Sequence, residues 1–168
     1  MVASRPDDRI RLAELMAALS LATDLGMGRP LERELGVCLA ALELADRLGC
    51  SVEERSDVYY VALLTHVGCT GPASDFASWV GGDEIHFLSG MQALGLAAEP
   101  SEEARHVLRR LADDRPLPER VRLRAKALAS GKQWAESIAG LCEGATVLAR
   151  RLHMSDAVAG ALGQVMER

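Results

Sequence analysis

Aromatic residues are scarce in this chain: two Trp, two Tyr and two Phe, 4% of 168 residues. β-Branched residues are few as well, and no segment alternates apolar and polar residues over the length of a strand. Strands are built from those residue types in that pattern, so a sheet is excluded. No apolar run approaches the roughly 18 residues that a membrane-crossing helix needs. The first residues, Met-Val-Ala-Ser-Arg-Pro-Asp-Asp, lack a charged-then-apolar secretory pattern. A cytoplasmic protein without a membrane partner is expected. An excess of positive charge is also absent: the formal net charge is -5 and the pI about 5.4. Such a chain is poorly suited to holding nucleic acid over its whole surface. Cys38, Cys50, Cys69 and Cys142 show no C-x-x-C spacing. Without a secretory signal they read as thiols, mostly buried, rather than as disulfides or structural zinc ligands.

Ala and Leu, the strongest helix formers, are abundant. Hydrophobic residues make up 49% of the chain and charged residues 26%. That is the balance of a globular domain, and the length suits one domain with a sizeable core. The expected fold is all-α. Residues 1–7 read as a disordered lead and 8–168 as one helical domain.

A first helix is expected from a cap at Asp7 or Asp8 to about Leu25. Its stripe is Ile10, Leu12, Leu15, Met16, Leu19 and Leu21, and Gly26-Met-Gly28 stops it. Pro30 suits a first helical position. The second helix, to Leu48, carries the stripe Leu35, Cys38, Leu39, Leu42 and Ala45. Gly49 reads as a left-handed terminator and Ser51-Val-Glu-Glu54 as a capping box for the third helix. Short helices over about Ser74 to Val80 and Glu84 to Leu94 follow. Then come Ser101 to Ala112, Pro118 to Ser130 and Gln133 to Leu152, and a last helix from Ser155 that runs on to Arg168. Ala45-Asp-Arg-Leu-Gly-Cys-Ser51 is echoed by Ala149-Arg-Arg-Leu-His-Met-Ser155. The echo puts His153 where the first copy has Gly49, as a terminator in the left-handed conformation.

The chain is organised around Asp57 to Thr70, its most apolar run and apolar almost all round a helical wheel. Such a helix belongs inside a bundle. Its polar residues gather at the end: Thr65, His66, Cys69 and Thr70, around Gly68. His66 and Cys69, three residues apart, fall on one face. They form either a small ligand or thiol site or a buried His beside a core Cys.

The order is specific: a helix ending Arg-Leu-Gly, then Ser-x-Glu-Glu, then an apolar helix ending Leu-Leu-x-His-x-Gly. This resembles the HD superfamily of metal-dependent phosphohydrolases, and within it the HD-GYP branch, over about Leu12 to Arg168. The family's third element reads Leu-Leu-His-Asp-Ile-Gly-Lys. Its adjacent His and Asp hold divalent metal, which activates water against a phosphate ester. The resemblance implies a compact HD-like bundle. Aligned on Leu63, Leu64 and Gly68, Thr65 stands where the family has His, His66 where it has Asp, and Cys69 where it has Lys. Arg33 stands where a first ligand histidine opens the second helix. Ala139 to Gly144 contains no histidine, and Val165-Met166 replace paired histidines before Glu167-Arg168. The family would continue there into an Asp-Gly and Gly-Tyr-Pro segment.

These departures agree with one another. Arg33 brings a permanent positive charge to a cation site, and Met and Val cannot replace imidazole for a hard ion. The resemblance therefore implies a degenerate site at Arg33, Thr65, His66 and Cys69, with no catalytic residues, bound metal or cofactor expected. The Thr-His-Val-Gly-Cys variant is similar to a divergent HD-GYP-like subgroup in actinobacterial regulators carrying a LuxR-type helix-turn-helix. That implies a sensory or protein-interaction module answering to a small-molecule or protein signal. Nucleic acid would be met only through a domain outside this chain. The alternative is a divergent phosphohydrolase with a site displaced around His66. A third reading is nucleotide binding without hydrolysis.

Other candidates have simpler explanations. Asp83, Glu84 and His86 beside Gly81-Gly82 read as an acidic first helical turn. His106 reads as solvated. Arg105, Arg109, Arg110, Arg115, Arg120, Arg122, Arg124 and Lys126 are interrupted by Asp113, Asp114 and Glu119, which makes a solvated face. Trp79 and Trp134 read as core or interface anchors. The last helix keeps Val158, Leu162, Val165 and Met166 to its end without a cap. An apolar face there, with Leu162 and Met166 in it, is expected to pair two copies into a homodimer.

Overall fold

Three consecutive helices build the centre of the molecule: α1, Leu12–Gly26; α2, Arg33–Arg47; and α3, Val52–Leu64. A single 3-10 turn, Val67–Thr70, continues α3. Further along lie α4, Pro100–Arg110, and α5, Leu117–Ala129. Residues 143–151 form α6, and Asp156–Gln164 form α7. The computed structural model describes residues 10–70, 85, 89, 100–113, 115–129 and 143–165. Among them there is no strand, and no helix is long and apolar enough to cross a membrane. The architecture is an all-α, HD-domain-like helical bundle. The expectations for residues 1–7, for Trp79, for Asp83, Glu84 and His86, for Trp134 and for Cys142 and Met166 lie outside the described residues.

The core forms where the end of α3 meets α7. Leu63 and Leu64 are almost inaccessible and pack with Val158, Ala159 and Leu162. Ala145 and Ala149 of α6 let the backbones approach closely, and Met16 of α1 and Cys38 of α2 complete the cluster. Each fully buried Leu here contributes about 1.5–3 kcal/mol relative to exposure.

Three helix ends share one geometry. After α1, Arg29 N donates to Asp24 O (2.8 Å) and Gly28 N to Leu25 O (3.1 Å). After α2, Cys50 N donates to Ala45 O (3.0 Å) and Gly49 N to Asp46 O (3.1 Å). After α6, Met154 N donates to Ala149 O (3.0 Å) and His153 N to Arg150 O (3.1 Å). Each is the Schellman pattern, which needs a left-handed residue just past the helix. Gly28 and Gly49 supply it at φ +64° and +72°, and His153 at φ +55°. The expectation for His153 is therefore met. Gly28 is required twice over, since a Cβ there would lie 2.7 Å from Ile85 Cγ2.

Several sequence expectations are corrected. α1 starts at Leu12 behind Arg11, whose backbone and guanidinium both donate to Glu14, and not from a cap at Asp7 or Asp8. Ile10, Leu15 and Leu39 are exposed, because the buried stripes are Met16, Ser20 and Thr23 on α1 and Cys38 and Ala45 on α2. Pro30 precedes α2 in the turn and accepts a bond from Arg33 N. The α3 helix stops at Leu64, six residues short of Thr70, and tightens into the 3-10 turn. His106 is half-buried. α7 ends at Gln164, with Val165 in a turn. Leu162 is 1% exposed, so it belongs to the core and is unavailable as a contact between copies.

Candidate functional site

α1 has an unusual buried face. Ser20, Thr23 and Asp24 are all 3% exposed or less. Ser20 and Thr23 satisfy their hydroxyls within the helix, donating to Ala17 O (2.8 Å) and Leu19 O (3.0 Å). Asp24 reaches outward instead. Its Oδ2 accepts from Glu34 N (3.2 Å), in the first turn of α2. The helix-preceding residue Glu32 is left-handed and offers no side-chain cap, so α2 takes its cap from another helix. A carboxylate there also meets the positive end of the helix dipole.

Glu34 is the centre of the cluster, 3% exposed. Arg29, from the α1–α2 turn and only 10% exposed, donates through Nη1 to Glu34 Oε1. His66 comes down from the end of α3 and sets Nδ1 3.2 Å from the same oxygen, without the alignment of a hydrogen bond. Burial pushes the Glu34 carboxyl up. Contact with His66 and the charges of Arg29 and Arg33 outweigh that, and hold it below the ordinary carboxylate value. Among the described residues, Asp24 Oδ1, Arg29 Nε and His66 Nδ1 are buried atoms without a hydrogen-bond partner in the protein.

Of the four residues marked by sequence, two approach this cluster directly. His66 contacts Glu34. Arg33 is exposed and acts on its neighbour Glu34 only by charge. Thr65 commits its hydroxyl to Val61 O (2.7 Å), one turn back in α3. Cys69 is half-buried, and its backbone N donates to His66 O (2.9 Å) across the 3-10 turn. Sequence reasoning missed Asp24, Arg29 and Glu34. A weak signal existed: Asp24 interrupts the apolar stripe of α1 at a core-facing position. The basic segment is less open than its composition suggested, for Arg124 donates to Leu111 O (3.2 Å) and Arg109 O (2.9 Å).

The family resemblance implies a divalent ion between the start of α2 and the end of α3, and these two ends do meet. The donors do not fit one. Glu34 is neutralised by a guanidinium, and Asp24 Oδ2 is taken by the α2 backbone. An added dication would sit against Arg29. Among the described residues, no three His, Cys, Asp or Glu side chains converge as metal ligands.

The chain is similar to a 3'3'-cGAMP-specific phosphodiesterase 3 of Vibrio cholerae, 26% identical over 149 residues. The match covers 88% of this chain and 32% of that protein, so the chain spans about a third of its relative's length. No family model matches the sequence. No solved structure matches it.

Proposed function

We propose that this chain is a catalytically silent HD-GYP-like domain, a sensory or protein-interaction module of a cytoplasmic regulator. The observation that carries the reading is the buried Arg29–Glu34 ion pair against His66. Where the family holds a dication, this chain carries its own cation, covalently attached and always charged. The scaffold is retained because the bundle's packing does not need the metal. Leu63, Leu64, Val158 and Leu162 supply the core. The relative's phosphodiesterase activity speaks for the scaffold's origin. Contact with DNA belongs to a domain outside this chain, and self-association, if it occurs, uses a surface other than Leu162.

The second reading is a divergent phosphohydrolase acting on a nucleotide or other phosphate ester. What favours it is the likeness to a cyclic-dinucleotide phosphodiesterase over most of this chain. One experiment separates the two. The purified protein is analysed for Mn, Fe and Zn, then incubated with 3'3'-cGAMP and with cyclic di-GMP in the presence of Mn or Fe(II). The silent-module reading expects substoichiometric metal and no turnover. Stoichiometric metal, or turnover abolished by His66→Ala, establishes the hydrolase instead.

A further inference from the structure

A second region of the bundle has the makings of a site, at the opposite end of α3 from His66. The corner between α6 and α7 lies across the first two turns of α3 and leaves a cleft of about 460 Å³. Glu53, Asp57 and Tyr60 of α3 line one wall, and Leu152, His153 and Met154 of the corner line the other.

Glu53 and Asp57 stand one helical turn apart on the same face. Neither has a basic partner among the described residues. The nearby guanidinium groups are committed elsewhere, Arg55 to Asp46 (2.8 Å) and Arg11 to Glu14 (2.5 Å). Asp57 is held in place, since its Oδ1 accepts from Ser155 Oγ (2.7 Å), and its second oxygen is left for another donor. Tyr60 presents an aromatic ring to the same cleft, steadied edge-on by Tyr59 at 5.3 Å between centroids. His153 adds an independent observation. The two equivalent helix ends place Gly in the left-handed position, and this one places an imidazole at φ +55°, on the rim of the cleft.

We propose that this cleft binds an organic ammonium ion with an apolar or aromatic body. The ammonium group lies against Asp57 and Glu53. The body lies along Tyr60, Leu152 and Met154, with the ring face attracting the cation. Two carboxylates repel phosphate, so the cleft is distinct in chemistry from any nucleotide site. The assignment holds whether or not the domain hydrolyses a phosphate ester.

Phenethylammonium chloride is the probe, titrated into the isotope-labelled full chain and followed by amide chemical shifts. A ligand of this size is expected to bind with Kd on the order of 1 mM. The shifts are expected to be confined to residues 52–60 and 152–155. Neutral 2-phenylethanol should bind about fivefold more weakly, and 3-phenylpropionate not at all. Asp57→Asn keeps an acceptor for Ser155 and should weaken the probe about fivefold. Exposed Glu53→Gln should do the same in smaller degree, and serves alone if Asp57→Asn melts early. His153→Gly should weaken the probe while leaving the melting temperature unchanged or higher, which separates the rim from the fold. No saturable shifts with the probe, equal binding of 3-phenylpropionate, or undiminished binding by Glu53→Gln and Asp57→Asn together would overturn the proposal.

Discussion

The two ends of α3 are secured by opposite means. At the start, Ser51 Oγ accepts from Glu54 N (3.2 Å) while Glu54 Oε2 accepts from Ser51 N (2.7 Å), a reciprocal cap made within four residues and in water. The neighbouring corner adds only Ser155, which caps α7 and donates to Asp57. At the far end nothing local closes the helix. Thr65 turns its hydroxyl back to Val61, and His66 meets an ion pair assembled from the α1–α2 turn. The first end is modular, and each piece is worth little. The second is buried and interdependent, so removing one member strands the others. A site that must respond to a bound ion or ligand is built in the second manner, and a reusable corner in the first.

The largest expected effect breaks the buried end. Arg29→Ala leaves Glu34 as an uncompensated buried charge and should cost about 3–5 kcal/mol by urea denaturation. The double variant Arg29→Met, Glu34→Leu should recover most of that loss, because an apolar replacement removes both desolvation costs. A double variant as unstable as the single one would mean that the pair's role is geometric.

Acid should also distinguish the two ends. Glu34 has a carboxyl pKa lowered in the folded state, so its stabilisation is present above the unfolded value and is lost as pH falls through the folded one. Stability is therefore expected to drop below about pH 4. Glu34→Gln should flatten that part of the pH profile, whereas Ser51→Ala should leave its shape intact.

Smaller effects belong to the corners. Ser51→Ala should cost about 1 kcal/mol, and Ser155→Ala somewhat more, since it also loses the bond to Asp57. A matched pair of equilibrium unfolding curves reads the difference. The least change is expected from His153→Gly, a gain of a few tenths to about 1 kcal/mol from relieving the left-handed position. Gly49→Ala should lose about as much. If His153→Gly destabilises instead, its ring makes contacts that Gly49 has no counterpart for.

How much was legible in the sequence follows the same division. The Ser51–Glu54 box, the Gly49 stop and even the left-handed His153 follow from residues within six positions of one another, and all three are present. The stripes of α1 and α2 were only partly legible. Periodicity cannot tell which of two adjacent Leu faces the core, and so Leu15 and Leu39 were assigned inward while Ser20 and Thr23 were passed over. Leu162 had the same ambiguity: an apolar residue near a chain end reads equally as core or as open face.

The site was least legible. His66 stood out by its motif, but Asp24 and Glu34 are ordinary acidic residues in ordinary helical contexts, and Arg29 looks like any charged loop residue. Sequence by itself determined the helical class, the order of the helices and the corners that join them, because those depend on propensity, spacing and local capping. The tertiary structure alone decided that Asp24 caps α2, that Arg29 pairs with Glu34 and that His66 joins them. Those are encounters between residues up to about 40 positions apart in sequence, and a buried charge can be tolerated only where folding supplies its partner.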